Sequence, residues 1–124
     1  MITGIGIDIV QVNRMKRWLD NEQLLERYFH SEEINLAQSR KKNAALTLAA
    51  RFAAKEAFGK ALGTGLAEIA LKDIRVSNKD NGKPDIILLD TAQRAFEKSG
   101  ANKVHVSLSH ERENAIAMIV LEKV

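Results

Sequence analysis

Three residues of this chain have types and settings that suit chemistry: Asp8, Glu56 and Lys60. Asp8 sits in the stretch GIGIDIV, among aliphatic residues and just after two glycines. Glu56 and Lys60 sit in RFAAKEAFGKALGTG, which runs from Arg51 to Gly65. On a helical wheel at about 100° per residue, Glu56 falls beside Ala45, Ala49, Phe52 and Ala53, with Lys60 one turn later. Arg51 and Lys55 point to another side. A carboxylate in an apolar setting needs a cation, because an unpaired buried charge is costly. Lys60 is one such cation and a metal ion is another. Mg²⁺ is commonly held by one or two carboxylates together with waters and substrate phosphates. Asp8 and Glu56 would supply the protein's share, with Lys60 near a phosphate or leaving group. Small residues around Glu56 would leave room for a ligand to approach. The structural alternative is an ordinary Glu56–Lys60 pair one turn apart, worth only ~0.2–0.5 kcal/mol, and an Asp8 that serves as an edge residue or a cap.

Periodicity indicates which elements must hold these residues. Residues 4–10 alternate as a strand, with Ile5, Ile7 and Ile9 on one face and Gly4, Gly6, Asp8 and Val10 on the other. The pattern turns helical from about 12 to 20, with Val12, Met15 and Leu19 on one stripe and Arg14 and Arg17 away from it. Ser31 is a suitable N-cap for a further helix, with Glu32 and Glu33 in its first turn. A long helix is expected from about Ala44 to Leu62, closed by Gly63 and Gly65. Residues 71–78 and Asp85 to Leu89 read as strands joined by the turn signal NGKP, Asn81 to Pro84. Asp90 is expected to cap a short helix that Gly100 ends. KVHVSLSH alternates as a strand, and NAIAMIVLE is apolar on both faces, so it needs cover from the core on one side and from another subunit on the other. The order β-α-α-β-β-α-β-β indicates an α+β fold, a small antiparallel sheet packed with helices.

Bulk composition narrows the function classes. The chain has 124 residues, 45% of them hydrophobic and 28% charged, which suits one soluble globular domain over residues 1–124. It has no cysteine, so disulfides and thiolate metal sites are excluded, and a reducing cytoplasm fits. MITGIGIDIV lacks the basic start and apolar stretch of a signal peptide, and no apolar run approaches the ~18 residues of a membrane span. The net charge of +3 favours an acidic partner or a phosphate-bearing ligand over a strong nucleic-acid binder. Several motifs fall short. GIG at 4–6 lacks the third glycine of a dinucleotide fingerprint, and FGKA at 58–61 lacks the first glycine and the Ser or Thr of a P-loop. His30, His105 and His110 lack zinc-site spacing.

GIGIDIV near the start, RFAAKEAFGKALGTG in the middle, the NGKP turn and VHVSLSH near the end resemble, in order and spacing, the holo-[acyl-carrier-protein] synthases, the short bacterial type of 4′-phosphopantetheinyl transferase. That resemblance spans nearly the whole chain. It implies transfer of the 4′-phosphopantetheine arm of coenzyme A to a serine of apo acyl carrier protein, with release of adenosine 3′,5′-bisphosphate, in support of fatty acid biosynthesis. It implies a homotrimer with sites at subunit interfaces. On matching positions it implies Mg²⁺ bound by Asp8 and Glu56, and Lys60 beside the coenzyme phosphates. His105 would lie in the same pocket, and Gly63, Gly65, Lys83 and Pro84 would border the coenzyme. Arg14 matches the carrier-contacting position, and Arg17 would extend that patch. Glu56 and a metal-bound water are both candidates for the base that takes the serine proton.

Two rivals stand beside this reading. One is another Mg²⁺-dependent phosphoryl-transfer or hydrolytic enzyme using the same carboxylates. The other is a nucleic-acid module with Arg14, Lys16, Arg17, Arg40, Lys41 and Lys42 as its patch. Aromatics make up only 5% of the chain, too few for interleaved stacking platforms, so nucleic acid is not expected as a partner, and without a long apolar run neither is a membrane.

Overall fold

The computed structural model describes every residue from Met1 to Val124. Its centre is one long helix. Residues Ala44–Leu62 (α4) are rich in alanine, the best helix former, and most of the helix is buried on all sides. A 3₁₀ turn at Lys41–Asn43 leads into it. It stops at Gly63, whose left-handed φ of 83° suits glycine, and the Gly65 N–H returns to the Gly59 carbonyl at 3.0 Å.

Strand β1 (Ile2–Gln11), strand β5 (Asn114–Glu122) and strand β4 (Lys103–His110) form an antiparallel sheet in the order β1-β5-β4 against one side of α4. Three short helices, α1 (Val12–Trp18), α2 (Glu22–Tyr28) and α3 (Ser31–Ser39), surround the helix elsewhere. A separate hairpin follows, β2 (Ile74–Asn78) with β3 (Pro84–Leu88), and then helix α5 (Asp90–Ser99). The expected α+β class with a small antiparallel sheet is what forms.

The bulky and bare faces of β1 take opposite places to those their size suggests. The glycine face packs on α4. A Cβ built on Gly4 would stand 1.9 Å from the Ala61 carbonyl oxygen, and one on Gly6 would stand 1.9 Å from that of Ala57. The strand therefore rests on the helix backbone itself. The isoleucine face turns outward, with Ile5, Ile7 and Ile9 each at least 57% exposed. In register, Ile7 lies opposite Met118 and Ile9 opposite Ile116, so the outer face of β1 and β5 carries an apolar patch.

Several boundaries differ from the sequence expectation. The helix expected over 12–20 ends at Trp18, and α2 had not been anticipated. The cap of α3 is His30, not Ser31. The His30 Nδ1 accepts from the Glu32 N–H at 3.1 Å, and the Glu33 carboxylate accepts from the His30 N–H at 2.9 Å. Residues 71–73 form a 3₁₀ turn, so β2 begins only at Ile74. β3 spans Pro84–Leu88, one residue earlier than Asp85 to Leu89. Asp90 is itself helical and makes no capping bond. The distant carboxylate of Asp73 accepts from the Thr91 N–H at 3.1 Å instead.

Candidate functional site

The glycine contact between β1 and α4 creates the site. With Gly4 and Gly6 seated on Ala61 and Ala57, the next residue on that face, Asp8, comes alongside the C-terminal half of α4. The Lys60 Nζ donates to an Asp8 carboxylate oxygen at 3.1 Å and to the Ile7 carbonyl at 3.0 Å. Asp8 is largely covered, whereas the Lys60 side chain is 56% exposed. Glu56 is half-buried one turn before Lys60. Burial, and then the charge of Asp8, push its carboxyl up from the ordinary value, while Arg14 and Lys60 pull it back. Two carboxylates and two cations thus share one patch of surface.

The Arg14 guanidinium completes that patch and does not stand free. It lies 5.4 Å over the Trp18 ring and 5.1 Å over the Phe52 ring. Trp18 in turn stacks on Tyr28 at 5.3 Å and meets Phe52 edge-on at 5.2 Å. Trp18 and Phe52 therefore do pair with a basic residue, in a cluster with Tyr28 whose ring faces are already taken. Arg17 and Lys16 are exposed in the last turn of α1.

The alanines near Glu56 serve packing and not ligand access. Ala45, Ala49 and Ala53 are all within 4% of full burial, and Ala57 carries Gly6. The more deeply buried charges of α4 are on its other side. Lys55 is fully buried and pairs with Glu33 at 2.7 Å, and Arg51 donates to the Asn78 Oδ1 at 2.6 Å. The sequence reading passed over both. Their spacing of four in an apolar helix was the available signal, but Glu33 and Asn78 are distant in the chain.

The remaining expected site residues divide into two groups. Gly63 and Gly65 follow Lys60 directly at the end of α4. His105, by contrast, lies on the outward face of the sheet, opposite Val120 in register, and its Nε2 meets Glu122 at 2.9 Å. Within one chain it is across the sheet from Asp8. Lys83 and Pro84 lie on the β2–β3 hairpin and border an open cleft of about 400 Å³ with Val106, Ser107 and Leu108 of β4. No three His, Asp or Glu side chains converge anywhere, so a metal would be held by two carboxylates at most. Two hard oxygen donors fit Mg²⁺ completed by waters and phosphate oxygens.

Comparison with known proteins decides the family. Residues 4–119 match the family model of the 4′-phosphopantetheinyl transferase superfamily. The chain belongs to this superfamily. This transferase is 52% identical over 122 residues to the holo-[acyl-carrier-protein] synthase of Treponema denticola, covering 98% of this chain and 99% of that one. It superposes with a TM-score of 0.83, at 41% identity, on a holo-(acyl-carrier-protein) synthase from Bacillus anthracis in complex with coenzyme A (3′,5′-ADP), covering 100% of this chain and 99% of that one. The Neisseria meningitidis holo-[acyl-carrier-protein] synthase gives a TM-score of 0.87 at 34% identity, covering 99% of this chain and 100% of that one. No helix of this transferase is long and apolar enough to cross a membrane.

Proposed function

We propose that this protein transfers the 4′-phosphopantetheine arm of coenzyme A to a serine of apo acyl carrier protein and releases adenosine 3′,5′-bisphosphate, as a step that supports fatty acid biosynthesis. The observation that carries the reading is the meeting of Asp8, Glu56 and Lys60 on adjoining faces of β1 and α4, in a chain of this superfamily. Phosphoryl transfer needs little covalent help from a protein; it needs positive charge held where negative charge develops and a nucleophile held in line. Asp8 and Glu56 would hold Mg²⁺, which when bound neutralises charge on the pyrophosphate. Lys60, reaching out from Asp8, is placed to meet the departing phosphate. Glu56 and a metal-bound water are the two candidates to take the serine proton. Gly63 and Gly65 would border the coenzyme.

The outward face of the sheet supports a homotrimer. Large exposed apolar patches mark interaction sites, and Ile5, Ile7, Ile9, Ile116 and Met118 make such a patch. His105 shares that face, so in this reading it serves a site completed by a neighbouring copy, with Lys83 and Pro84 beside it. The acidic carrier would approach over Arg14 and Arg17. Residues 1–124 act as one catalytic domain, and the cysteine-free sequence suits the cytoplasm.

The test is to incubate the protein with coenzyme A, Mg²⁺ and an apo carrier protein and weigh the carrier. A mass gain of one phosphopantetheine arm is expected, and an unchanged carrier refutes the reading. For assembly, light scattering that finds only a 13.8 kDa species at micromolar concentration refutes the trimer.

A further inference from the structure

Helix α4 carries two buried cations on the side away from Glu56. Lys55 and Arg51 are one turn apart, and both reach the β2–β3 hairpin. The Lys55 Nζ donates to the Leu71 carbonyl at 2.9 Å and also to the Ile74 carbonyl, at the entry to β2. Its partner Glu33 accepts from the Val76 N–H at 3.0 Å with its second oxygen. Arg51 takes hold of the other end of the strand through Asn78, whose Nδ2 donates to the Gly82 carbonyl in the turn at 3.0 Å. The Nε of Arg51 is buried without an acceptor, so the guanidinium is committed to Asn78 and not to a saturated local network.

We propose that Lys55 and Arg51 are positioning residues, which brace the hairpin at its base and near its tip and so fix Lys83 and Pro84, which border the coenzyme in the site that a neighbouring copy completes. The proposal rests on the coenzyme reading given above. Its physical basis is that the hairpin has only two strands, which is marginal alone. It lies beside β4 but is not hydrogen-bonded into the main sheet. Buried ion pairs add little to stability compared with apolar replacements, yet they set one arrangement of the groups they bond. Here those groups are the Ile74 carbonyl and the Val76 N–H of β2 and the Leu71 carbonyl of the turn before it.

Two cuts test the brace, at opposite ends. The double variant Glu33→Met with Lys55→Met removes both buried charges together, far from the cleft, and Asn78→Ala removes the link to the turn. Amide exchange at Val76, Lys79 and Gly82 reports the hairpin directly, and steady-state kinetics report its consequence. The expectation is faster exchange at those amides and a roughly tenfold higher KM for coenzyme A, equivalent to ~1.4 kcal/mol of lost preorganisation. The carrier KM should stay within about twofold, and kcat at saturating coenzyme should fall far less than kcat/KM. A role in stability alone would lower the melting temperature and leave that split absent, which overturns the proposal. So does unchanged exchange in both variants. If the double variant does not fold, Asn78→Ala decides by amide exchange at Lys79 and Gly82, since Asn78 itself lines the cleft. Lys83→Ala separates the underlying reading: if it leaves the coenzyme KM unchanged while the wild type transfers the arm, the hairpin does not border the coenzyme, and the proposal falls for that reason.

Discussion

Substituting Gly6 with alanine perturbs the contact on which the candidate site depends. The new Cβ would stand 1.9 Å from the Ala57 carbonyl oxygen, 2.8 Å from the Ala61 nitrogen and 2.9 Å from the Ala57 carbonyl carbon. All three are backbone atoms in the C-terminal half of a buried helix, so no side chain can swing aside. An ordinary contact needs ~3.4 Å, so β1 must retreat by about 1.5 Å or α4 must distort. Overpacking a core costs ~1–3 kcal/mol, and a clash between two backbones belongs at the upper end. With ~2.1 cal/mol/K of unfolding entropy per residue, a chain of 124 residues loses about 12 °C of melting temperature for ~3 kcal/mol. The effect on chemistry is separate. Asp8 is two residues on, and a displacement of ~1 Å at a reacting centre can cost ~100-fold in rate. The assay is the rate of carrier modification at a temperature where the variant is still fully folded, paired with a thermal melt. A Gly6→Ala protein that melts with the wild type, or that melts lower yet turns over at the wild-type rate while folded, refutes the claim that this glycine sets the approach of Asp8 to Lys60.

Lys60→Ala should slow transfer by about 30–900-fold, from ~2–4 kcal/mol of lost electrostatic stabilisation. It should barely move the melt, because its exposed pair with Asp8 is worth only ~0.2–1 kcal/mol; a collapsed melt with activity retained would make Lys60 structural. Glu56 carries the pH dependence. Its folded carboxyl is raised above the unfolded value of 4.5, so the native state holds the extra proton and its contribution to stability is full below about 4.5. That contribution is lost as pH rises through the raised value. Glu56→Gln melted in the presence of a chelator should therefore be more stable than the wild type near neutral pH, while with Mg²⁺ restored it should abolish transfer. A lower melt would contradict the sign. Reversing Arg14 and Arg17 to Glu should lower kcat/KM for the carrier ~10–100-fold, less so in added salt, and Arg14→Glu alone should also cost ~0.5–1 kcal/mol of stability through its lost ring contacts. Equal effects on coenzyme A and carrier would place docking elsewhere.

What the sequence determined was local. Alternation over 4–10, the alanine-rich helix ended by Gly63, the NGKP turn and the strand KVHVSLSH all came from period, propensity and turn chemistry, which act over a few residues. Asp8, Glu56 and Lys60 were legible because a carboxylate or ammonium among apolar residues is conspicuous wherever it occurs. Helix α2 was not legible, since EQLLERY is seven residues long and depends on packing and an Asn21 cap. The tertiary structure decided everything that depends on which face meets what. The alternation of β1 did not say which face is inward; Gly4 and Gly6 face the core because only a bare backbone fits against Ala57 and Ala61. Lys55, sequence neighbour of Glu56, is the truly buried charge because Glu33, 22 residues away, and the carbonyls of Leu71 and Ile74 satisfy it there. His105 is placed across the sheet from Asp8 by strand register, and a one-residue slip would put it on the other face. Pairings over such separations follow from how the chain closes on itself, which neither periodicity nor residue type encodes.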